Sequence, residues 1–356
     1  MPEISYTRVN DNTPVLVGCA QLTDKRGVEG YNYLEILTEV SKKALIDCEA
    51  SKDFRQEIDT VGVIRFVADT PQRDSATSDL WGYPNMPRSL ARSLGFNAKN
   101  EIYTTTGGNS PQIAINELAN RIKDKQIECA LLSGGEALDT FVTRLKDGLE
   151  VNWSDEPGGE PEIIGKSEDG TNDHEKIHGI FNPSSVYPLF ANSLRGLNNQ
   201  TVQEHMNDTG ELFERFSKVA SKNKYSWFPI HRSAEEIALT QPENRMIGLP
   251  YTKYMNSIMR VNQSCALILM SAKKARELGI PTSKWVFMYA GACINDIWNV
   301  SDRVDYSSSP AIKACSDNVF ELADVKIEEL NFIDLYSCFP SAVQIAMKEL
   351  ELSEQA

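Results

Sequence analysis

The chain has 356 residues, and its 50 acidic against 36 basic side chains leave a formal net charge of −14 at pH 7. This surplus of negative charge argues against a polyanion such as nucleic acid as the main partner. The hydrophobic fraction of 41% and the charged fraction of 24% are those of an ordinary globular protein, and roughly 150 residues per domain predict about two domains.

The sequence carries no pattern for export or membrane insertion. Its first residues are acidic and polar, where a secretory signal has a basic start and an apolar run. The longest apolar runs, Cys265–Met270 and Trp285–Ala290, are much shorter than the roughly 20 residues of a membrane-spanning helix. The 7 cysteines are widely spaced and form no C-x-x-C pair, which is typical of reduced thiols. We therefore expect a cytoplasmic protein without a membrane span.

Strands and helices alternate in the first part of the chain. Residues Pro14–Gln21 have the composition of a buried strand, and Tyr33–Cys48 has apolar residues at helical spacing. A second strand is predicted over Ile58–Val67. This order of strand, helix and strand indicates an α/β sheet with parallel strands.

The next predicted elements again join two strands through a helix. A strand over Glu101–Thr106 leads through a Gly-Gly-Asn-Ser-Pro turn into a helix that ends near Asp124. The strand Ile127–Leu132 follows and is expected to close in a turn at Ser133-Gly134-Gly135. Together these elements make a βαβ unit.

The composition changes from about Asp147, where acidic, glycine- and proline-containing runs predict an exposed insertion. Residues 185–244 are predicted to be mainly helical, with 211–220 as the clearest amphipathic segment. The sheet pattern resumes over Val261–Met270, and a helix over Ala272–Leu278 is expected to stop at the glycine that follows it.

The last part of the chain repeats the pattern of the first. An apolar strand is predicted over Trp285–Cys293, with a helical stretch after it. Ile333-Asp334 lies 13 residues after Phe320, as Ile58-Asp59 lies 13 residues after Leu45, so both pairs are expected at the start of a strand. Two copies of one α/β unit are therefore predicted, and the second copy would stop early, after one further helix.

Taken together, these features resemble the thiolase superfamily over nearly the whole chain. The pieces that carry the resemblance are, in chain order, Val15–Ala20, the helix-rich insertion, Val261–Met270 with Ala275–Pro281, and Asp334–Phe339. A narrower likeness, to the divergent acetyl-CoA acetyltransferase-like group related to the sterol-carrier-protein thiolases, is carried by Gly107–Gln112, Asn244–Ile247 and Pro250–Lys253. Compared with that family, the chain looks truncated at its C-terminus.

The resemblance implies the thiolase fold, an α/β structure in which two βαβαβαββ halves form αβαβα layers and a helical loop domain lies between them. The second half here would be incomplete. The implied division of the chain is 1–146 for the first part of the N-terminal half, 147–244 for the helical loop domain, 245–279 for the completion of the N-terminal half and 280–356 for a partial C-terminal half. A homodimer or a partner subunit is expected, because thiolases usually pair through sheet edges.

Thiolases carry a nucleophilic cysteine at the start of the central helix of the first half, where helix amides and the helix dipole favour thiolate. The position in this chain that matches it is Gly108, which has no side chain. The free amides around Gly107, Gly108 and Asn109 could still hold a thioester oxygen or a phosphate. The plainer alternative is an ordinary helix start, with Ser110 as N-cap and Pro111 at the first helical position.

The segment Tyr336–Phe339 is similar to the Asn-Glu-Ala-Phe segment of thiolases and the His-Asp-Cys-Phe segment of sterol-carrier-protein thiolases. In those families the first residue polarises a thioester carbonyl through a bound water, so the resemblance implies this role for Tyr336. Cys338 is the thiol nearest the expected pocket and would be the substitute nucleophile. The alternatives are that Tyr336 caps the end of a buried strand and that Cys338 is a small buried apolar side chain.

Basic residues near the end of the insertion are candidates for binding the phosphates of coenzyme A. They are Arg245, Lys253 and Arg260, although isolated arginines are more often salt-bridged surface groups. The run His174–His178 fits the H-E-x-x-H pattern of zinc proteases. Glycine and proline on both sides leave no room for a long helix there, so we expect a solvated loop and no metal site.

The sequence therefore predicts a thiolase-like protein of the acetyl-CoA acetyltransferase group that binds or transfers acyl groups of coenzyme A thioesters. If active, it would be an acyltransferase of lipid metabolism without a covalently bound cofactor. The acyl group would pass directly between thiols or onto Cys338, with Gly107, Gly108 and Tyr336 orienting the carbonyl. The alternative is a non-catalytic thiolase-fold scaffold or subunit that binds a partner protein.

Overall fold

The computed structural model describes residues 9–69, 82–166, 168 and 170–352. The contacts within the chain divide it into two compact units. The first unit takes its described residues from 1–167 and 259–289, and the second takes them from 168–258 and 290–356. The boundaries implied by the resemblance concern the halves of the family and stay a prediction.

Strands and helices are numbered here in chain order. The strands are β1 (Pro14–Thr23), β2 (Thr60–Ile64), β3 (Asn100–Thr104), β4 (Cys129–Ala137), β5 (Glu162–Ile164), β6 (Met246–Gly248), β7 (Tyr251–Thr252), β8 (Asn262–Ser271) and β9 (Val286–Phe287). The helices are α1 (Tyr33–Asp47), α2 (Met86–Ser93), α3 (Ser110–Lys123), α4 (Leu138–Lys146), α5 (Asp173–Ile177), α6 (Pro183–Leu197), α7 (Val202–Ala220), α8 (Ala234–Ala238), α9 (Ala272–Glu277), α10 (Pro310–Ala323) and α11 (Pro340–Glu349). Among the described residues, no helix has both the length and the apolar character needed to cross a bilayer.

The first unit is built on a 7-stranded sheet in the order β5-β3-β2-β4-β8-β1-β9. β2 pairs in parallel with β3 and β4, and β3 pairs in parallel with β5. β8 runs antiparallel to its neighbours β4 and β1, and β9 runs antiparallel to β1. The predicted α/β sheet with parallel strands is therefore confirmed, and β8 and β9 add its antiparallel part.

This sheet is buried on both faces because successive side chains of a strand point in opposite directions. Leu131 of β4 and Ile268 of β8 face each other and belong to the core cluster that includes the apolar side of α1. Their neighbours Leu132 and Leu269 belong to the opposite cluster, with Leu118 of α3. Burial of each such leucine or isoleucine side chain stabilises the fold by about 1.5–3 kcal/mol. Because alternate side chains of β4 and β8 point to opposite faces, they pack against α1 on one face of the sheet and against α3 on the other.

Most predicted elements are present, with bounds shifted by a few residues. The strands β1 and β8 and the helices α1, α3 and α9 cover their predicted segments, and α6, α7 and α8 confirm the helical part of the insertion. Gly279 follows α9 as predicted, with a φ of +65° that lies in the left-handed region and ends the helix.

Some predicted strands are longer than the observed ones, because a segment forms a strand only where a neighbouring strand pairs with its backbone. β2 occupies the middle of the predicted Ile58–Val67, and β9 occupies only the start of the predicted Trp285–Cys293. β9 pairs with β1 through Val286 and Phe287 alone. Among the described residues nothing continues this pairing, so the rest of the apolar run is not a strand.

The turn predicted at Ser133-Gly134-Gly135 is wrong, because β4 continues through it to Ala137. The two glycines lie where neighbouring strands come very close. A Cβ on Gly134 would lie 2.8 Å from the Cβ of Ile64, and a Cβ on Gly135 would lie 2.6 Å from the Cβ of Ser264. Glycine marks a close approach of strands here and not a reversal of the chain.

The stretch from Asp147 onward is mostly exposed, as expected, but its first part belongs to the first unit and is not a separate insertion. Glu162–Ile164 forms β5 and pairs in parallel with Ile102–Thr104 of β3. Trp153 is also buried, and its ring meets that of Phe141 edge-on at 5.5 Å between centroids. The composition of this stretch is that of a loop, yet it supplies an edge strand and an aromatic side chain to the first unit.

The second unit is mainly helical, with a short hairpin of β6 and β7 that pairs Met246 with Thr252. Its core includes a buried apolar cluster of Ala191, Met206, Ile237, Ala238, Tyr251, Met255 and Phe339. The strand expected from Ile333-Asp334 onward is not formed, and no described residue pairs with this segment. The side chain of Phe332 just before it is 95% exposed.

Candidate functional site

The turn that carries Gly108 connects β3 to α3 in the first unit. The N–H of Ser110 donates to the carbonyl of Gly107 at 3.1 Å, and the N–H of Ile113 donates to the carbonyl of Asn109 at 3.2 Å. Gly108 and Asn109 are exposed, and no described residue accepts a hydrogen bond from either amide. The turn therefore presents two backbone donors at the start of a helix, where the dipole favours a negative ligand.

The interpretation of Ser110 as N-cap is wrong. Asn109 holds the N-cap position, Ser110 is the first helical residue and Pro111 the second. The buried Ser110 hydroxyl donates to the carbonyl of Thr105 at 2.8 Å. This hydrogen bond connects the turn to the end of β3. Because the Ser110 hydroxyl is buried and directed toward the sheet, it is not placed to act as a nucleophile.

A partly buried charged network, not predicted from the sequence, lies at the carboxyl ends of β2 and β3. The Arg65 guanidinium donates to the carbonyl of Thr104 at 3.1 Å and to the carboxylate of Asp69 at 3.0 Å. The hydroxyl of Tyr103 donates to the same carboxylate at 2.6 Å. Burial raises the pKa of Asp69, and the hydrogen bond from Tyr103 and the charge of Arg65 only partly oppose this shift.

This network could have been predicted from the position of its charged residues at the carboxyl ends of the predicted strands. Ligand sites of α/β sheets lie at the carboxyl ends of the parallel strands. Arg65 directly follows β2, and Glu136 lies near the end of β4, where its carboxylate accepts the N–H of Val67 at 2.6 Å. These charged residues belong to the same sheet edge as the Gly107–Ser110 turn.

In the second unit, the thiol of Cys338 lies between two phenol hydroxyls. Its Sγ donates to the hydroxyl of Tyr187 at 3.2 Å, and the hydroxyl of Tyr336 also bonds it. Burial raises the pKa of the Cys338 thiol, while both phenols lower it. Partial burial raises the pKa of Tyr336 to about 12. At neutral pH the site therefore holds a thiol and a protonated phenol.

Two aromatic side chains hold the Tyr336–Phe339 segment in place. The ring of Tyr187, on α6, stacks on the ring of Phe339 with 4.2 Å between centroids and 12° between planes. The hydroxyl of Tyr251, on β7, accepts the N–H of Ser341 at 3.1 Å. The alternative that Tyr336 caps a buried strand is wrong, because no strand is formed there.

Arg245 directly precedes β6 and Lys253 directly follows β7, so the two residues lie side by side at the open end of the hairpin. The N–H of Lys253 donates to the carbonyl of Arg245 at 2.9 Å, and both side chains are exposed. Among the described residues neither side chain takes part in an ion pair. Tyr251 of the same hairpin bonds Ser341, so the two cations and the Cys338 segment belong to one connected arrangement.

Asn244, the first residue of the Asn244–Ile247 motif, has a structural role at the start of this hairpin. Its buried side-chain amide donates to the carbonyls of Glu236, Ile237 and Leu239 at 2.9 to 3.0 Å. Its Oδ1 accepts the N–H of Tyr254 at 2.8 Å. Asn244 is thus an anchor that fixes the base of the hairpin.

Arg260, the third basic candidate, has a structural role. Its guanidinium bonds the carboxylate of Asp139 at 2.7 Å and the hydroxyl of Thr143 at 2.6 Å. These residues belong to the first unit, as Gly107, Gly108 and Asn109 do. The salt-bridged alternative therefore applies to Arg260 and not to Arg245.

The H-E-x-x-H run lies on a short helix, and the solvated loop expected from the sequence is wrong. The helix that carries it, α5, covers only Asp173–Ile177, and Glu175 is buried with its carboxylate on the N–H groups of Asn172 and Ser301. The rings of His174 and His178 meet edge-on at 4.8 Å between centroids. Within the described part of the chain, no group of three or more histidine, cysteine or acidic side chains could hold a metal ion.

No family model matches the chain. An acetyl-CoA acetyltransferase of Methanocaldococcus jannaschii is 22% identical over 240 residues, which are 65% of this chain and 57% of that protein. Among solved structures, a monomeric SCP2-thiolase-like protein type 1 from Mycobacterium smegmatis matches with a TM-score of 0.77 at 30% identity, over 98% of this chain and 65% of that one. An Ltp2-ChsH2(DUF35) aldolase matches with a TM-score of 0.64 at 15% identity, over 96% of this chain and 78% of that one.

These proteins differ from the chain in length. The chain spans 57% of the acetyltransferase and 65% of the SCP2-thiolase-like protein. The likeness to the aldolase, at 15% identity, concerns the fold alone.

Proposed function

This chain has the thiolase-superfamily fold, and from that premise we propose that it binds coenzyme A thioesters and transfers their acyl groups without a nucleophile at Gly108. The observation that carries the proposal is the connected arrangement in the second unit. Two exposed cations without an ion-pair partner in the described part of the chain, Arg245 and Lys253, flank a hairpin with Tyr251, which bonds the start of the helix after Cys338. We place this activity in cytoplasmic lipid metabolism.

The two cations suit the phosphates of coenzyme A. A chain with a net charge of −14 repels an anionic ligand unless positive charge is concentrated locally. Arg245 and Lys253 provide such a concentration, because neither is neutralised by a described carboxylate. The name of the Methanocaldococcus jannaschii relative, acetyl-CoA acetyltransferase, supports a ligand of this class.

The phenol and the thiol supply the chemistry at the acyl group. Tyr336 is protonated at neutral pH and can donate a hydrogen bond to the thioester carbonyl. The sulfur of Cys338 attacks the carbonyl carbon, a new thioester bond forms, and the bond from that carbon to the coenzyme A sulfur breaks. The proton of Cys338 ends on the coenzyme A thiol, so the exchange needs no further reactant.

A separate part of the proposal concerns the Gly107–Asn109 turn of the first unit, taken by itself. Its exposed amides at Gly108 and Asn109 have no described acceptor and can bind a thioester oxygen or a phosphate. Because the turn has no thiol, it would bind the ligand without forming an acyl-enzyme. The absence of covalent chemistry at Gly108 separates this chain from a thiolase with a cysteine at that place.

Calorimetry with acetyl-CoA tests the binding step. The double variant Arg245→Gln/Lys253→Gln is expected to lose affinity about tenfold or more, since 1.4 kcal/mol corresponds to a factor of ten. The matched control is Lys222→Gln, which removes an exposed lysine of the same unit. Equal affinity of the double variant and the control would contradict the assignment of the two cations.

Mass spectrometry after incubation with acetyl-CoA tests the transfer step. An acetyl adduct is expected on Cys338 and is expected to disappear in Cys338→Ser. Cleavage of acetoacetyl-CoA is expected to be far slower than in ordinary thiolases, because Gly108 cannot attack. Turnover at ordinary thiolase rates would show that the active residue has been misplaced.

A second candidate function is that of a non-catalytic subunit that binds a partner protein. Two observations favour it. The side chain of Phe332 is 95% exposed in an apolar segment, and the aldolase of similar fold is an Ltp2-ChsH2(DUF35) aldolase, whose name joins two components. Undetectable binding of coenzyme A by a well-folded sample would favour this function. A homodimer stays a prediction that size-exclusion chromatography with light scattering can test.

A further inference from the structure

We propose that Tyr187 is a positioning residue for Cys338 and that its hydroxyl sets the ionisation of the thiol. Tyr187 lies on α6, in the helical insertion, and is 151 residues away from Cys338 along the chain. The inference rests on the proposed role of Cys338 as acyl acceptor. It adds a residue from the insertion to the groups that act on the reacting sulfur.

The first argument is the direct contact between the two side chains. The Sγ of Cys338 lies 3.2 Å from the hydroxyl oxygen of Tyr187. A thiol donates its proton to such an oxygen, whereas a thiolate accepts the phenol proton instead. Rotation of one hydroxyl therefore lets Tyr187 bond both protonation states of Cys338, and the bond to the thiolate is the stronger because it is charge-assisted.

The second argument is the place of Tyr187 among the groups that favour the thiolate. The interactions that lower the pKa of Cys338 include hydrogen bonds with the hydroxyls of Tyr187 and Tyr336 and with the backbone at Cys338 and Phe339, and that of Tyr187 is the largest of them. Burial opposes ionisation, so the two phenols are the side chains that make a thiolate accessible.

The third argument is the difference in packing between the two phenols. The ring of Tyr187 is stacked on Phe339 at 4.2 Å, and Phe339 is itself buried in the core of the second unit. The side chain of Tyr336 is 56% exposed. Tyr187 is thus the phenol with a fixed place, and it defines where the sulfur is held.

The test is the pH dependence of Cys338 alkylation by iodoacetamide, followed by mass spectrometry of its peptide in the intact chain. Tyr187→Phe keeps the stacked ring and removes the hydroxyl. We expect the midpoint of the pH profile to move upward by about one pH unit, the order expected for the loss of one charge-assisted hydrogen bond to a thiolate. The exposed Cys19 provides an internal reference whose profile should not move.

The matched control is Tyr306→Phe, which removes a phenol hydroxyl of the same unit that does not contact Cys338. Its midpoint is expected to equal that of the unmodified chain. An unchanged midpoint in Tyr187→Phe would overturn the inference and leave Tyr187 as a packing residue only. Where Tyr187→Phe reduces folding, as judged by circular dichroism, Tyr187→Leu provides a second side chain without a donor, and a midpoint equal to that of the unmodified chain would also overturn the inference.

This test and the test of the proposed function can fail independently of each other. Calorimetry with acetyl-CoA reports on ligand binding, whereas alkylation reports on the sulfur without any ligand. A shifted midpoint together with absent binding would sustain the role of Tyr187 toward the thiol and reject the thioester as ligand. An unshifted midpoint with intact binding would do the reverse.

Discussion

The two copies of the predicted internal repeat have a similar sequence pattern and different structures. In the first copy, Ile58 is 1% exposed and leads into β2, which lies between β3 and β4. In the second copy, Ile333 is 41% exposed, and no described residue pairs with the segment that follows. An apolar pattern therefore becomes a strand only where neighbouring strands complete its backbone hydrogen bonds.

The aspartates of the two copies show the same difference at the level of single bonds. The carbonyl of Asp59 accepts the N–H groups of Lys99 and Asn100 at 2.9 and 3.0 Å, and its own N–H donates to Cys129 at 3.1 Å. Its carboxylate accepts the N–H of Glu128 at 2.7 Å. Asp59 thus joins the starts of three neighbouring strands, whereas Asp334 is exposed.

The largest expected effect comes from truncating the two isoleucines. Ile58→Ala is expected to lower the free energy of unfolding of the first unit by about 2–5 kcal/mol, because it leaves a cavity in a closed core. Ile333→Ala is expected to change stability by less than about 0.5 kcal/mol, because its side chain is already in contact with solvent. Urea unfolding followed by circular dichroism gives both values. Equal losses would mean that Ile333 is packed against a partner, and the contrast between the copies would fail.

A smaller effect is expected from the two aspartates. Asp59→Ala leaves the N–H of Glu128 without its acceptor and is expected to cost about 1–3 kcal/mol. Asp334→Ala removes an exposed carboxylate and is expected to cost less than about 0.5 kcal/mol. Asp59→Asn is the control, because its amide oxygen can still accept the N–H and should recover part of the stability. A full loss in Asp59→Asn would assign the effect to charge.

The sequence predicts the elements whose partners are close or whose periodicity is strong, such as α1, α3, β1 and β8. It does not predict that β4 passes through Gly134-Gly135 or that Glu162–Ile164 joins the sheet, because both depend on strands far along the chain. The site shows the same limit. A local motif predicts Tyr336 and Cys338 as site residues, whereas no local motif predicts the contact of Tyr187 with Cys338, which spans 151 residues.

The smallest expected effect concerns pH and distinguishes the two units themselves. All 4 histidines of the chain belong to the second unit. His205 is 2% exposed, and burial lowers its pKa from the ordinary value of 6.5, although Asp208 partly opposes the shift. His205 therefore binds a proton less readily in the folded chain than in the unfolded chain. The stability of the second unit should be complete above pH 6.5 and decline as the pH falls below it towards the pKa of folded His205.

Hydrogen exchange resolved by peptides, measured at pH 7.5 and 5.5 and corrected for the intrinsic rate, would test this pH dependence unit by unit. Peptides of α7 are expected to lose protection at the lower pH, and peptides of β2 and β4 are expected to keep theirs. His205→Gln should abolish the loss, because glutamine takes up no proton, whereas the control His231→Gln removes an exposed histidine and should leave it in place. A loss that persists in His205→Gln would place the titrating group elsewhere, and a loss shared by β2 would show that the two units unfold as one.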